Sequence, residues 1–294
     1  STTQVLLDLP RGASFGWDVL IKVAGLDELF AAHHPEADEP SIIRFLIQDE
    51  RNPSSMLSCI HRARENCRTF REVLPMAFWE RVNALYLYIK RHAARTTLGR
   101  GERYQVLNGV IERRESIVGM LGGSMSRDAA YHFIKLGRNV ERADMTTRIV
   151  DVNSAVVLPA DAALRVPAME RLWMSTLSAM SAYQMYRRHI GVHVSSHAVV
   201  DFLLKDPHFP RTVQFCIEEI ETCLSALPEH AEAMRAVRRA ARRLRDMRLE
   251  TLPPVVLHEY LDQIQADLGA IHRALSRQYF SLHQNGAVAA LAQQ

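Results

Sequence analysis

Residues Gly123–Val152 read GSMSRDAAYHFIKLGRNVERADMTTRIVDV, a run with no proline and, past its start, a single glycine, Gly137. The spacing predicts a long helix beginning at Ser126. On a 3.6-residue wheel Ala130, Ile134, Met145 and Val152 share one side, which reads as a buried stripe. Glu141 falls in the middle of that stripe, with Arg127, Arg138 and Arg148 close on the same side. A carboxylate placed so must be paired or serve a function, because an unpaired buried charge costs several kcal/mol. Gly137, one turn before Glu141, removes the side chain that would lie over the backbone there, so something can approach it closely.

Outward from this run the chain keeps the same period. Phe15–Ala32, Ser41–Gln48, Pro53 to about Val73, Met76–Thr97 and Arg103–Leu121 precede it as expected helices. Ala168–His189, Ser195–Leu204, Arg211–Leu227, Ala231–Leu249 and Val255 to about His283 follow it. Residues 1–15 read as an arm, and the last ten as a fraying end. No sustained two-residue alternation bounded by turn signals occurs, so the fold class is all-α.

A repeat organises these helices. IIRFLIQDERNPSSMLSCI at Ile42–Ile60 aligns without gaps with VVDFLLKDPHFPRTVQFCI at Val199–Ile217, at an offset of 157. Phe45/Phe202, Asp49/Asp206, Pro53/Pro210, Cys59/Cys216 and Ile60/Ile217 coincide, and the stripe Met56, Ile60, Ala63, Cys67 becomes Val213, Ile217, Ile220, Leu224. The expectation is a single domain over 1–294, a pseudo-symmetric helical bundle built from two duplicated halves, about 15–122 and about 123–283. The same offset puts the counterpart of Gly123–Val152 before residue 1. A first half without that helix would carry an apolar groove near Met56–Phe70, to be covered by a homodimer, a fused domain or residues 1–15.

Composition excludes more than it assigns. The 294 residues are 48% hydrophobic and 23% charged, with a net charge of +3, too small to argue for nucleic acid. Lysine occurs only at 22, 90, 135 and 205, so 36 − 4 leaves 32 arginines, the residue suited to carboxylate, phosphate and buried ion pairs. Cys59, Cys67, Cys216 and Cys223 lie in helical patterns without CxxC or Cys/His ligand spacing, which reads as a reduced, cytoplasmic protein with no metal site. No apolar run is long enough to span a bilayer. Walker-type, GxSxG, HExxH and GxGxxG signatures are all missing, and no cofactor is implied.

Three charged clusters remain. Arg127, Arg138, Glu141, Arg142 and Arg148 form either an ion-pair network that ties the central helix to its neighbours or a pocket of converging guanidiniums oriented by Glu141. Arg62, Arg64, Glu65, Arg68, Arg71 and Glu72, within HRARENCRTFRE, include Glu65–Arg68 and Arg68–Glu72 at helix-pairing spacing, which reads as a solvated face, although Arg64 and Arg68 flank the buried stripe. Ala233–Arg248 carries seven arginines around Val237, Ala240, Ala241 and Leu244; without interleaved aromatics it reads as a solvated or acid-docking face rather than a nucleic-acid site.

GGSMSRDAAYHFIKLGRNVERADMTTRIVD resembles the Glu-Arg helical motif of the bacterial alpha-E domain family. FLIQDERNPSSMLSCIHRARENCRTFRE and FLLKDPHFPRTVQFCIEEIE resemble that family's other recurrent segments. The resemblance implies context more than chemistry. Such proteins are encoded beside, or fused to, circularly permuted ATP-grasp ligase-like proteins, often with transglutaminase-like peptidases, in systems that make and process a small peptide or amide-linked product. It implies that Arg138, Glu141 and Arg142 are the named motif, with Arg64, Glu65 and Arg68 as partners. The implied function is a non-catalytic helical subunit of an ATP-grasp-type ligase that holds substrate in an Arg/Glu pocket. The alternative is an enzyme that uses Glu141 and neighbouring arginines in amide-bond chemistry.

Overall fold

The computed structural model describes residues 17–93, 99–154, 156, 161–248 and 254–280; the expected N-terminal arm and fraying C-terminus lie outside them. Among the described residues there are 13 α-helices and no strand. The chain divides into two compact units, residues 1–131 with 156–196, and residues 132–155 with 197–294.

In the first unit, α1 (Asp18–Ala24) stops at Gly25, whose φ of 64° is the left-handed conformation that ends helices, and α2 (Asp27–Ala31) follows. One helix over Phe15–Ala32 is thereby replaced by two. Leu20, Ile21 and Phe30 pack with Ile42 and Phe45 of α3 (Glu39–Ile47). α3 starts where the Asp38 carboxylate accepts a hydrogen bond from Ser41 N at 2.9 Å, with Pro40 in the first turn. α4 (Met56–Thr69) is capped by Ser55, so Pro53 lies in the turn before the helix and not at its first position. α4 packs on α5 (Met76–Ala93), and α5 on α6 (Arg100–Ser124), with Phe78, Val82, Leu85 and Ile89 as the buried stripe. Expected stops at Gly122 and Gly123 do not occur, because neither takes a left-handed φ.

The expected helix Ala168–His189 is in fact α8 (Ala162–Ala179) and α9 (Tyr183–His189), separated at Ser181, a non-glycine residue with φ of 54°. Asp161 caps α8, and the helix runs through Pro167.

α7 (Ala129–Ser154) begins in the first unit and continues in the second. Its start is fixed by the Asp128 carboxylate, which accepts from Tyr131 N at 3.1 Å, three residues later than Ser126. The second unit continues with α10 (Ser196–Lys205), α11 (Val213–Ser225), α12 (Ala231–Asp246) and α13 (Pro254–Leu275), closed by a π-helical turn, Ser276–Phe280. Val237, Ala240 and Leu244 of α12 are buried, as are Leu261, Ile264, Leu268 and Ile271 of α13.

Local structure recurs at the sequence offset. α10 begins 157 residues after α3, and α11 157 residues after α4. Ser55 accepts from Ser58 N and Thr212 from Phe215 N, both at 3.2 Å. Asp49 accepts from Arg51 N at 3.0 Å and Asp206 from His208 N at 2.9 Å. The Cys59 and Cys216 sulfurs lie 3.8 and 3.9 Å from the Pro53 and Pro210 carbonyls.

Candidate functional site

The central helix turns the other way from the sequence expectation. Its buried residues are Leu136, Asn139, Ala143, Thr146, Thr147, Ile149, Val150 and Asn153. Ala130, Ile134, Met145 and Val152 are only half-buried, and Glu141 is exposed. Apolarity misleads here because polar residues share the inward face with aliphatic ones, and two of them, Thr146 and Thr147, satisfy themselves on carbonyls. Thr146 donates to Arg211 O at 2.8 Å and Thr147 to Asp144 O at 2.7 Å.

Within the second unit one stripe of α7 meets α11. Lys135 pairs with Glu219, the Arg138 charge acts on the Cys216 and Cys223 thiols, Arg142 donates to Pro210 O at 3.5 Å, and Thr146 takes the next carbonyl. Residues 135, 138, 142 and 146 follow helical spacing, so a single face makes all four contacts. The half-buried Arg138 guanidinium has a buried Nε with no hydrogen-bond partner among the described residues, and both side-chain amide atoms of fully buried Asn139 share that condition.

The remaining arginines of this cluster are occupied separately. Arg148 pairs with Asp144 at 2.7 Å, one turn back. Arg127, in the first unit, donates to Gly122 O at 2.7 Å and lies 4.2 Å from the Tyr131 ring centre, which closes the end of α6. The expected Arg138–Glu141 pair does not form among the described residues. Glu141 stands in solvent because its side of the helix carries no buried stripe.

Arg64, Glu65 and Arg68 are brought together in the first unit. Glu65 accepts from Arg64 at 2.6 Å and from Arg68 at 2.8 Å, and the Arg68 hydrogen bond, then the two positive charges, hold its carboxyl below the usual range. Arg64 also donates Nε–H to Asn83 Oδ1 at 2.8 Å, and its guanidinium lies 5.4 Å from the Trp79 ring centre and 5.1 Å from that of Tyr86. Lys90 Nζ and the His61 ring centre lie 5.7 and 5.8 Å from the Tyr86 ring centre. Beside them opens a cavity of about 390 Å³ lined by Glu50, His61, Arg62, Tyr86 and Lys90, with Pro53, Leu57 and Ser58. Lys22, Lys135 and Lys205 each meet a protein oxygen, whereas Lys90 has none among the described residues. An aromatic floor where two cations, Arg62 and Lys90, outnumber the one carboxylate, Glu50, suits a carboxylate-bearing ligand.

Sequence reasoning missed one constellation. In the second unit the His258 Nδ1 lies 2.8 Å from an Asp151 oxygen, and its Nε2 lies 3.6 Å from Asp262. The Asp151 hydrogen bond and charge raise the His258 pKa. The three offer ligand atoms within 4.8 Å of one another, so they could hold a cation; without one they form an imidazolium bridge between α7 and α13. The only local signal was the four-residue spacing of His258 and Asp262, since Asp151 lies 107 residues away. Asp128 and His132, which share a helical face in the sequence, do not enter it.

The three buried thiols fit no nucleophilic role. Burial pushes the Cys67 and Cys223 thiols up, and Cys216 to about 12. Cys59, expected on or near a buried side, is exposed.

A family model described as a predicted alpha-helical domain with a conserved ER motif, Alpha-E, matches residues 1–280. An uncharacterized protein of Mycobacterium bovis and one of Mycobacterium tuberculosis are each 25% identical over 246 residues, which is 80% of this chain and 27% of theirs. A further uncharacterized Mycobacterium tuberculosis protein is 26% identical over 164 residues, 54% of this chain and 18% of its own. The chain thus spans about a quarter of the length of the first curated relatives it matches. No solved structure matches. Among the described residues no helix is long and apolar enough to cross a membrane.

Proposed function

The chain belongs to the Alpha-E family, and from that premise we propose that it is a non-catalytic helical subunit of an ATP-grasp-type ligase, acting in the making or processing of a small peptide or amide product. The observation that carries the proposal is the Arg64–Glu65–Arg68 rung over Trp79 and Tyr86, beside a cavity with an unneutralised Lys90. A substrate carboxylate would be drawn to Lys90, with its apolar part against Tyr86. The Glu-Arg dipeptide occurs six times in this chain, at Glu50, Glu80, Glu102, Glu112, Glu141 and Glu170. We take Glu141–Arg142 as the motif of the family description: Arg142 anchors α7, and exposed Glu141 is left to meet a partner. That exposure favours docking over the alternative of Glu141 as a general base.

The proposal extends to architecture and setting. The capping bonds that recur at the 157-residue offset support one Alpha-E domain made of two duplicated halves. A transglutaminase-like peptidase as further partner and a cytoplasmic location belong to the same reading. The test is affinity capture with this chain as bait, followed by mass spectrometry and by assays with and without the captured protein. An ATP-grasp-type ligase and amide-forming activity only in its presence are expected. Turnover of amino acids or peptides by the isolated chain, or no ligase captured under gentle conditions, would overturn the proposal.

A further inference from the structure

Helices α4 and α11 leave the same turn, but only α11 is covered. It buries Val213, Cys216, Ile217, Ile220, Cys223 and Leu224, whereas α4 buries Cys67 alone. The cover on α11 includes the α7 stripe, which meets Glu219, Cys216 with Cys223, Pro210 and Arg211 in turn. Set back by 157 residues, those points are Arg62, Cys59 with Asn66, Pro53 and Ser54, and all five are exposed. At the far end Phe70 and Met76 are 57% and 64% exposed, while their counterparts Leu227 and Ala233 are buried.

We propose that this face of α4 docks one α-helix of a partner, lying along Pro53–Asn66 as α7 lies along Pro210–Cys223 and bearing a carboxylate where α7 bears Lys135. The charge follows from the exchange of Glu219 for Arg62. Lys135 neutralises Glu219 in the second unit, whereas the Arg62 guanidinium meets only the Pro53 carbonyl and no acid among the described residues. Arg62 also takes the role of Arg142, since both guanidiniums reach the carbonyl of the proline that opens the turn. The incoming helix therefore has no need of that arginine; it needs an acid facing Arg62 and an apolar residue for Phe70 and Met76. The inference rests on the paired residue environments and not on the ligase.

Cys59 makes the face measurable, because it lies at the centre and the other three thiols are buried. The probe is a peptide of Ala129–Ser154 with Lys135→Glu, stapled across Gly137 and Glu141, both exposed in α7, since an isolated helix of this length is marginal in water. Saturating peptide should slow alkylation of Cys59 in the full chain by about tenfold or more, the effect of occupancy above about 90%. A peptide that keeps Lys135 should protect more weakly, and Arg62→Glu should reverse the order. An unchanged labelling rate of free Arg62→Glu relative to the parent would show that the face itself is intact. Failure of the glutamate peptide to protect at millimolar concentration would overturn the proposal, as would protection indifferent to the charge swap. Slow labelling without any peptide would overturn it too, because the chain would then cover the face by itself.

Discussion

At the scale of single residues, the buried polar side chains of α7 separate scaffold from function. Asn139 is fully buried with both amide atoms unpartnered among the described residues, and each such atom carries a desolvation penalty of about 1–3 kcal/mol. Asn139→Ala is therefore expected to melt at or above the parent; a loss of more than about 1 kcal/mol in chemical denaturation would mean that the amide has a partner. His258 gives a pH signature. Its folded pKa lies above 6.5 because Asp151 favours the imidazolium, so its contribution is complete below about 6.5 and fades as pH rises through the raised value. Parent and Asp151→Asn melting temperatures should differ most in acid and converge as pH rises past the raised His258 pKa, with the parent higher. A difference that grows with pH would contradict the bridge.

At the scale of elements, helices were legible and their faces less so. The periods of α3, α5, α10 and α12 read directly from sequence because their inward residues are apolar. The inward face of α7 was not legible, because Asn139, Thr146 and Thr147 count as polar on any hydrophobic wheel, and the carbonyl that satisfies Thr146 lies 65 residues along the chain. The break between α8 and α9 depends on Ser181 in a left-handed conformation, which no residue type announces. Of the candidate site, Arg64, Glu65 and Arg68 were visible as a helix-spaced triplet, while Asn83, Trp79 and Tyr86 come from the neighbouring helix. Two substitutions probe this level. Thr146→Val removes the donor to Arg211 O and should cost about 1–3 kcal/mol in denaturant melts. Gly137→Ala should instead stabilise by about 0.5–1 kcal/mol, since a Cβ there meets nothing within 4 Å and the helix loses a flexible residue. Destabilisation by Gly137→Ala would indicate a close neighbour at that backbone.

At the scale of the whole molecule, an ionic node of the second unit offers a test of duplication. Asp267 of α13, 6% exposed, accepts from Arg239 at 3.0 Å and from Arg243 at 2.7 Å, both on α12. The residues 157 positions earlier are Val110, Val82 and Tyr86, with Val82 buried, so an ionic triad stands where the first unit has two valines and a tyrosine. If the halves are duplicates, the apolar set should be accepted by the second. Asp267→Val alone leaves two guanidiniums without their carboxylate and should cost about 1–3 kcal/mol, less than for a fully buried pair because Arg239 is half exposed. Adding Arg239→Val and Arg243→Tyr should restore most of that loss, because buried ion triads are often replaced by apolar residues without penalty. Denaturant melts of parent, single and triple variants read the two steps. A triple variant no more stable than the single one would mean that the nodes only share an alignment position, and the case for duplication would then rest on the α3–α4 and α10–α11 turns.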